Sequence, residues 1–315
     1  MKIVYPDRNS YVQLSDINAA AKEDPAAFVR RCEADFEAQL DALVSSFKTS
    51  PGKKILMLAG PSSSGKTTTA FKLSERFEGL GFGAPVISLD EFFLGIEQYP
   101  RLPDGSPDME SVYALDIPLV QKCLSDLARC GEAVFPRFDF STSSRAGLDH
   151  TIRLGSDDLL IIEGIHALNP ILISNLKVEA LYRAYISTRT RVLDGERPVY
   201  APKDARLIRR MIRDQNFRGY AAVNTLLKWH NVLDGEEKYI YPYRDLVDFK
   251  IDSSMEYEGG IFHHFLSEVM SELRPDNAQH QELGRLIGCL DYFLEIPVET
   301  VPVDSLLREF IGHNH

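Results

Sequence analysis

The chain has 315 residues, of which 44% are hydrophobic and 26% charged, and its formal net charge is −11. These proportions are ordinary for a globular protein with a sizeable core, whereas the acidic balance argues against general binding to nucleic acids or anionic membranes. The longest apolar runs are about five residues, too short to cross a bilayer, and the four cysteines lack metal-site spacing, so we expect a reduced, cytoplasmic protein.

Residues 1–50 are predicted to form a helical appendage. Asp24 and Pro25 are typical of a helix start, because aspartate caps the first turn and proline fits into it. Apolar side chains then recur at helical spacing, at Phe28, Cys32, Phe36, Leu40, Leu43 and Phe47. The run Ser50-Pro51-Gly52 ends this packing face.

From residue 53 onward, strands and helices alternate, which predicts an α/β fold with a doubly wound, mostly parallel sheet. The predicted strands are 55–59, 85–89, 158–162, 181–187 and 246–251. The predicted helices are 67–78, 115–130, 203–217 and 221–233, and residues 95–112 read as a long surface loop. We assign 51–255 to this domain and 256–315 to a C-terminal helical extension with helices at 261–273, 281–294 and 305–311.

The first strand leads into a Gly-x-x-x-x-Gly-Lys-Thr motif. Gly60 and Gly65 let the backbone curl so that its N–H groups face an anion at a helix N-terminus. The loop members Ser62, Ser63 and Ser64 and the following Thr68 belong to the same predicted cradle. Lys66 would reach the β- and γ-phosphates of a nucleoside triphosphate, and the Thr67 hydroxyl would bind Mg²⁺.

Two later strand ends carry acids that suit phosphoryl transfer. Asp90 follows the second strand, where a carboxylate accepts the proton of an attacking hydroxyl and contacts Mg²⁺. Glu163 ends the apolar run 159–162 and resembles the acid of a Walker-B strand, near Mg²⁺ or its water shell. The alternative for both residues is a structural acid that caps the junction between a strand and a loop. Glu163, however, ends a strongly apolar strand, where a carboxylate needs a partner, and this favours the metal role.

Four arginines recur on the predicted helix 203–217 at i, i+3, i+4 and i+7, which predicts one shared face: Arg206, Arg209, Arg210 and Arg213. Like charges this close repel one another unless an anion lies among them. On an isolated helix they would indicate a solvated face, whereas in a phosphate-loop protein they predict a lid that closes over the transferred phosphate. Upstream, Phe138 and Phe140 are suited either to covering a planar ring or to core packing.

Five motifs occur in one order, at 60–68, 88–93, 136–145, 163–168 and 206–214, and together they resemble the uridine kinase and phosphoribulokinase family. The similarity covers about residues 53–255. It implies phosphorylation of a nucleoside 5′-hydroxyl with ATP or GTP and Mg²⁺. Pyrimidine-specific members carry a tyrosine and a histidine where this chain has Phe138 and Ser143, so the base stays open.

The resemblance also implies residue roles. Asp90 matches the catalytic base and Glu163 the magnesium-site acid, while Arg206 and Arg209 match lid arginines that contact substrate and phosphates. Glu110, in the run 110–116 that includes Tyr113, lies where the family places an acid that binds the ribose hydroxyls. Arg145 matches an arginine of the nucleoside pocket. Family members are often oligomers, so a homo-oligomer is allowed.

Two alternatives stay open from the residues. One is a kinase of another small alcohol, such as a sugar phosphate or pantothenate, although Glu110 would repel a phosphorylated acceptor. The other is a phosphate-loop switch that binds a nucleotide and regulates a partner through residues 1–50 or 256–315. Asp90 argues against a switch, which has no need of a base for an acceptor hydroxyl.

Overall fold

In the computed structural model, residues 11–139, 142, 144–271 and 278–312 are described. The strands are β1 Tyr11–Gln13, β2 Ile55–Ala59, β3 Val86–Ser88, β4 Glu132–Asp139, β5 Ser144–Arg153, β6 Leu160–Glu163, β7 Leu181–Ser187, β8 Arg191–Asp194, β9 Arg197–Tyr200 and β10 Phe249–Asp252. The helices are α1 Leu14–Glu23, α2 Pro25–Lys48, α3 Lys66–Gly79, α4 Ile117–Cys130, α5 Pro170–Ile173, α6 Pro202–Phe217, α7 Ala222–Tyr239, α8 Glu258–Ser271, α9 Ala278–Leu290 and α10 Arg308–Ile311.

The central sheet has five parallel strands in the order β10-β7-β2-β6-β3. Strand β2 is buried along its whole length, as its apolar run predicts for a strand covered on both faces. The α/β class with a parallel sheet is therefore confirmed, and β2 and β7 have the predicted bounds. Strand β10 begins at Phe249, three residues later than predicted, and helix α7 continues six residues further, to Tyr239.

The register of the central sheet places the carboxyl ends of β2, β3 and β6 side by side. Leu58 of β2 lies opposite Glu163 of β6, and Glu163 lies opposite Ser88 of β3. The chain segments that follow β2, β3 and β6 thus leave the same edge of the sheet, where ligands of open α/β sheets bind.

Two smaller sheets flank the central one. An antiparallel hairpin of β4 and β5 stands beside α4, and β1 pairs with β8, which also pairs with β9. Neither was predicted from the sequence. Strand β5 is largely exposed, so it lacks the apolar alternation that marks a half-buried strand.

A single hydrophobic cluster covers one face of the central sheet. It contains side chains of the N-terminal helices such as Phe36, sheet residues such as Leu56, and C-terminal side chains such as Phe310. A second cluster on the opposite face joins β3, α4 and the hairpin. Both terminal segments thus pack against the sheet itself. None of the described helices is long and apolar enough to span a membrane.

Candidate active site

The loop between β2 and α3 has the backbone that its glycines predict. Gly65 has a φ of +81°, in the left-handed region that glycine adopts readily. At Gly60, an added Cβ atom would lie 2.1 Å from the carbonyl oxygen of Ile186, so only glycine fits there. The Lys66 ammonium bends back over the loop and donates to the carbonyl oxygen of Pro61 at 3.0 Å.

Three hydroxyls in and behind this loop are buried without a hydrogen-bond partner, on Ser63, Ser64 and Thr69. Burial of an unpaired hydroxyl is costly, so such atoms mark a place where a ligand or water completes the hydrogen bonding. With the curled loop and Lys66 above it, this arrangement fits the phosphates of a nucleotide at the N-terminus of α3.

The oxygen atoms at the edge of the sheet fit a magnesium ion. The Thr67 hydroxyl lies 3.2 Å from a carboxylate oxygen of Glu163, to which it donates. Asp90 lies close enough to Glu163 for its charge to raise the pKa of that residue. Hydroxyl and carboxylate oxygens are the ligands that Mg²⁺ takes together with substrate phosphates, so Thr67, Asp90 and Glu163 would hold the ion.

The electrostatics of this edge are dominated by burial. Burial, followed by the charge of Asp90, raises the pKa of Glu163 to about 7, while Lys66 opposes this shift. Burial also raises the pKa of Asp90, against the attraction of Lys66, Arg218 and Arg213. Burial lowers the pKa of Lys66, and the nearby acids Glu163 and Asp90 oppose that change. The lysine and the two carboxylates therefore form one interacting group.

Helix α6 brings two of its arginines to the phosphate loop. Arg206 donates to the carbonyl oxygen of Ser62 at 3.2 Å, and Arg210 donates to the Ser62 hydroxyl at 2.9 Å. Arg206 is almost fully buried and forms a two-pronged pair with Glu236 of α7, one arm of which measures 2.8 Å. This pair holds the guanidinium of Arg206 beside the loop.

Arg209 departs from the shared face that its spacing predicts. Its side chain is fully buried, donates to Glu258 at 2.8 Å and to the Ser253 carbonyl at 2.7 Å, and stacks over the ring of Phe310 at 5.3 Å. It thus anchors α6 to the core. Arg213 has a third environment, beside Asp214 at 3.1 Å and Glu309 at 4.0 Å.

Glu110, predicted to bind the acceptor, is enclosed between α6 and α7. Its carboxylate lies 3.8 Å from Arg210, and its Cβ would be 2.3 Å from a Cβ added at Gly235. Burial raises the pKa of Glu110 to about 7, the charges of Glu236 and Asp108 add to the shift, and Arg210 opposes it. A carboxyl in such a place changes its charge near neutral pH.

The other predicted substrate residues have different surroundings. Tyr113 is 55% exposed, and the Phe138 ring packs edge-on against Phe93 at 6.0 Å. Arg145 pairs at 2.7 Å with Asp116, the residue that caps α4, so it fastens the hairpin to that helix. Phe140 lies outside the described residues.

Three side chains of this region were not predicted from the sequence. Glu236 and Glu309 contact Arg206 and Thr68 from 30 and 241 residues away in the chain, and no local pattern reveals such pairs. His166 follows the Glu163 strand, is buried, and packs edge-on against Tyr239. Burial lowers the pKa of His166 to about 3, so its ring is neutral.

Comparison with known proteins gives a family match over most of the chain. The family model described as Phosphoribulokinase / Uridine kinase family matches residues 55–257. A uridine kinase of Ureaplasma parvum is 26% identical over 179 residues, which are 57% of this chain and 77% of that protein. A uridine kinase of Borrelia duttonii is 26% identical over 229 residues, which are 72% of this chain and 98% of that protein.

Among solved structures, a possible uridine kinase from Bacillus stearothermophilus is similar to this chain. The two share 18% identity and superpose with a TM-score of 0.47, over 69% of this chain and 100% of the other.

Proposed function

The chain belongs to the Phosphoribulokinase / Uridine kinase family, and we propose that it transfers the terminal phosphoryl group of ATP or GTP to the 5′-hydroxyl of a nucleoside. The main support for this proposal is that Lys66, Asp90 and Glu163 lie together at one edge of the sheet. The charge of each of these residues shifts the pKa of another. A nucleotide-binding switch needs the lysine and a metal-site acid, whereas the additional buried carboxylate of Asp90 suits an acceptor hydroxyl.

In this proposal the phosphate loop and Lys66 bind the donor phosphates and stabilise the charge that develops during transfer. A magnesium ion, when bound by Thr67, Asp90 and Glu163 with the phosphates, neutralises charge on the transferred group. Asp90 orients the acceptor hydroxyl and takes its proton.

The lid and the acceptor pocket complete the site. Arg206 and Arg210 already contact the loop at Ser62, and with Arg213 they close over the phosphates and exclude water. Glu110 accepts hydrogen bonds from the ribose hydroxyls, and Tyr113, Phe138, Phe140 and Arg145 surround the base. A buried acid in the acceptor pocket disfavours a phosphorylated acceptor, which supports an uncharged nucleoside. The partner is then a small molecule and the compartment the cytoplasm.

The test is release of ADP from purified protein with ATP and Mg²⁺, measured against a panel of nucleosides, pentoses, pentose phosphates and pantothenate. Turnover that depends on a nucleoside supports the proposal and identifies the base. Turnover with only a sugar phosphate or pantothenate would show that the protein is a kinase of that acceptor and not of a nucleoside. Slow hydrolysis that no acceptor changes contradicts the kinase proposal and favours a nucleotide-binding switch.

A further inference from the structure

A segment outside the family match lies against the phosphate loop. Residues 297–312 follow the last long helix, and Leu306 packs so closely on Gly65 that a Cβ there would lie 2.4 Å from a Leu306 methyl carbon. Three residues later, a carboxylate oxygen of Glu309 accepts a hydrogen bond from the Thr68 hydroxyl at 2.8 Å. The other carboxylate oxygen lies 4.0 Å from the guanidinium of Arg213 on the lid helix.

Glu309 thus places a negative charge where the proposed function places phosphate. Its partner Thr68 lies in the first turn of α3, where the helix dipole and free N–H groups favour an anion. Thr68 and Arg213 are both donors suited to a phosphate. In charge and in partners, the side chain substitutes for a donor phosphate.

The backbone of this segment is firmly held. Ser305 donates to the buried carboxylate of Glu33 at 2.5 Å, and Arg308 donates to the Val301 and Gly312 carbonyls at 2.6 and 3.0 Å. Leu306, Leu307, Phe310 and Ile311 are fully buried. By contrast, the Glu309 side chain is 20% exposed. A rotation of this one side chain, without movement of the segment, is therefore enough to free Thr68 and Arg213.

We propose that Glu309 is a residue of the donor-nucleotide site, where it competes with the donor's phosphates. Its carboxylate occupies Thr68 and Arg213 until a nucleoside triphosphate displaces it, and Arg213 is then released toward the phosphates. The inference rests on the proposed function in one respect, namely that the loop binds a nucleoside triphosphate. Only the form in which the Glu309 carboxylate has left Thr68 and Arg213 binds the donor. Glu309 therefore weakens the affinity for the donor nucleotide.

The test measures binding of ATP with Mg²⁺ by isothermal titration calorimetry to the full chain and to Glu309→Gln, which keeps the shape but removes the charge. We expect Glu309→Gln to bind about tenfold more tightly, as for removal of a competitor that occupies the site about nine-tenths of the time. Glu299→Gln is the matched control, because it makes the same charge change at an exposed position of the same segment. It should bind as the parent does.

Two further measurements make the outcome decisive. Glu309→Asp keeps the charge on α10 but withdraws it by one methylene, so it should also bind ATP more tightly, and it replaces Glu309→Gln if that variant does not fold. Tripolyphosphate, which has no nucleoside, should show the same gain, since the competition is with phosphates. A gain for ATP alone, or equal affinities for parent and both variants, overturns the inference and leaves the proposed function standing. Absence of ATP binding in every protein overturns both.

Discussion

Asp90 is the second residue of a short 3₁₀ turn, Leu89–Phe92, that directly follows β3, and its main-chain N–H donates to the Ser88 hydroxyl at 3.3 Å. The turn fixes the carboxylate at the sheet edge, and burial raises its pKa. A carboxyl with a raised pKa is a stronger base when ionised, and Lys66 nearby keeps the ionised form accessible. The local structure is thus suited to proton abstraction from an acceptor.

We expect Asp90→Asn to lower kcat at least a hundredfold, because the amide retains the size of the side chain but accepts no proton. The measurement is acceptor-dependent ADP release together with the melting temperature, which should stay near that of the parent. Asp157→Asn, at an exposed position before β6, is the control and should leave kcat unchanged. A folded Asp90→Asn protein with near-normal turnover would show that Asp90 is not the base.

The raised pKa of Glu110 predicts that nucleoside binding depends on pH. With its pKa raised to about 7, the carboxylate is protonated below neutral pH and loses one acceptor for the ribose hydroxyls. We expect the KM for the nucleoside to rise as pH falls below about 7, by up to tenfold per pH unit. Glu110→Gln should raise the KM at pH 8 and abolish this dependence. A nucleoside KM that is constant between pH 5.5 and 7.5 would contradict the role.

The carboxyl of Glu110 also makes the free energy of unfolding depend on pH. Since the folded protein favours its neutral form, the stabilisation is fully present below the unfolded pKa of 4.5 and is lost as pH rises toward 7. Glu110→Gln should therefore flatten the change of unfolding free energy across this window, which denaturant titrations at several pH values would detect.

At the scale of elements, helix α6 both contacts the phosphate loop and anchors itself in the core, and its sequence pattern does not show which arginine has which role. Arg206, Arg210 and Arg213 face the loop or its neighbours, whereas Arg209 pairs with Glu258 of α8 inside the core. The spacing of the four arginines is that of a single broad face. Only the positions of α8 and α10 decide which arginine is buried, and these depend on contacts far apart in the chain.

We expect Arg209→Ala to act on stability, because it leaves the fully buried Glu258 without its partner, at a cost of about 3–5 kcal/mol. Arg213→Ala, whose side chain is partly exposed and close to both Asp214 and Glu309, should lower kcat with little effect on unfolding. Urea denaturation and steady-state kinetics separate the two. Unchanged stability with lost turnover in Arg209→Ala would support the catalytic role that the resemblance implies.

The parallel sheet could be predicted from the sequence because its strands carry their own signal. The predicted bounds of β2 and β7 match the observed ones. The strand ends of a parallel sheet meet at one edge, which brings Lys66, Asp90 and Glu163 together. The hairpin of β4 and β5 could not be predicted, since β5 is mostly exposed and polar. Strand β1 is three residues long and pairs with β8, so that Tyr11 lies opposite Arg191 and more than half of the chain separates the two strands. Pairings of this kind depend on tertiary packing.

At the scale of the whole molecule, both terminal segments complete the core of the family-matched region. Phe36 and Leu40 of α2 and Phe310 of α10 belong to the same buried cluster as Leu56 of the sheet. A buried polar network joins them as well, because Tyr257 and Ser305 both donate to Glu33 of α2. We therefore propose that the described parts of the two terminal segments, 11–50, 256–271 and 278–312, fold together with 51–255 as one cooperative unit.

The expected result is that the isolated segment 51–255 does not unfold cooperatively. Its removal from the rest leaves the face of β2, β7 and β10 that packs on α2 and α8 exposed, and it leaves Arg209 without Glu258. Differential scanning calorimetry of 51–255 beside the full chain is the measurement, with deletion of 256–315 alone as an intermediate case that removes Glu258 but retains α2. Deletion of 256–315 removes only part of the buried apolar surface that the two terminal segments contribute, but it removes Glu258 entirely. We therefore expect this shorter protein to lack a sharp transition as well. A cooperative transition of 51–255 near the melting temperature of the full chain would show that the terminal segments are appendages in the thermodynamic sense.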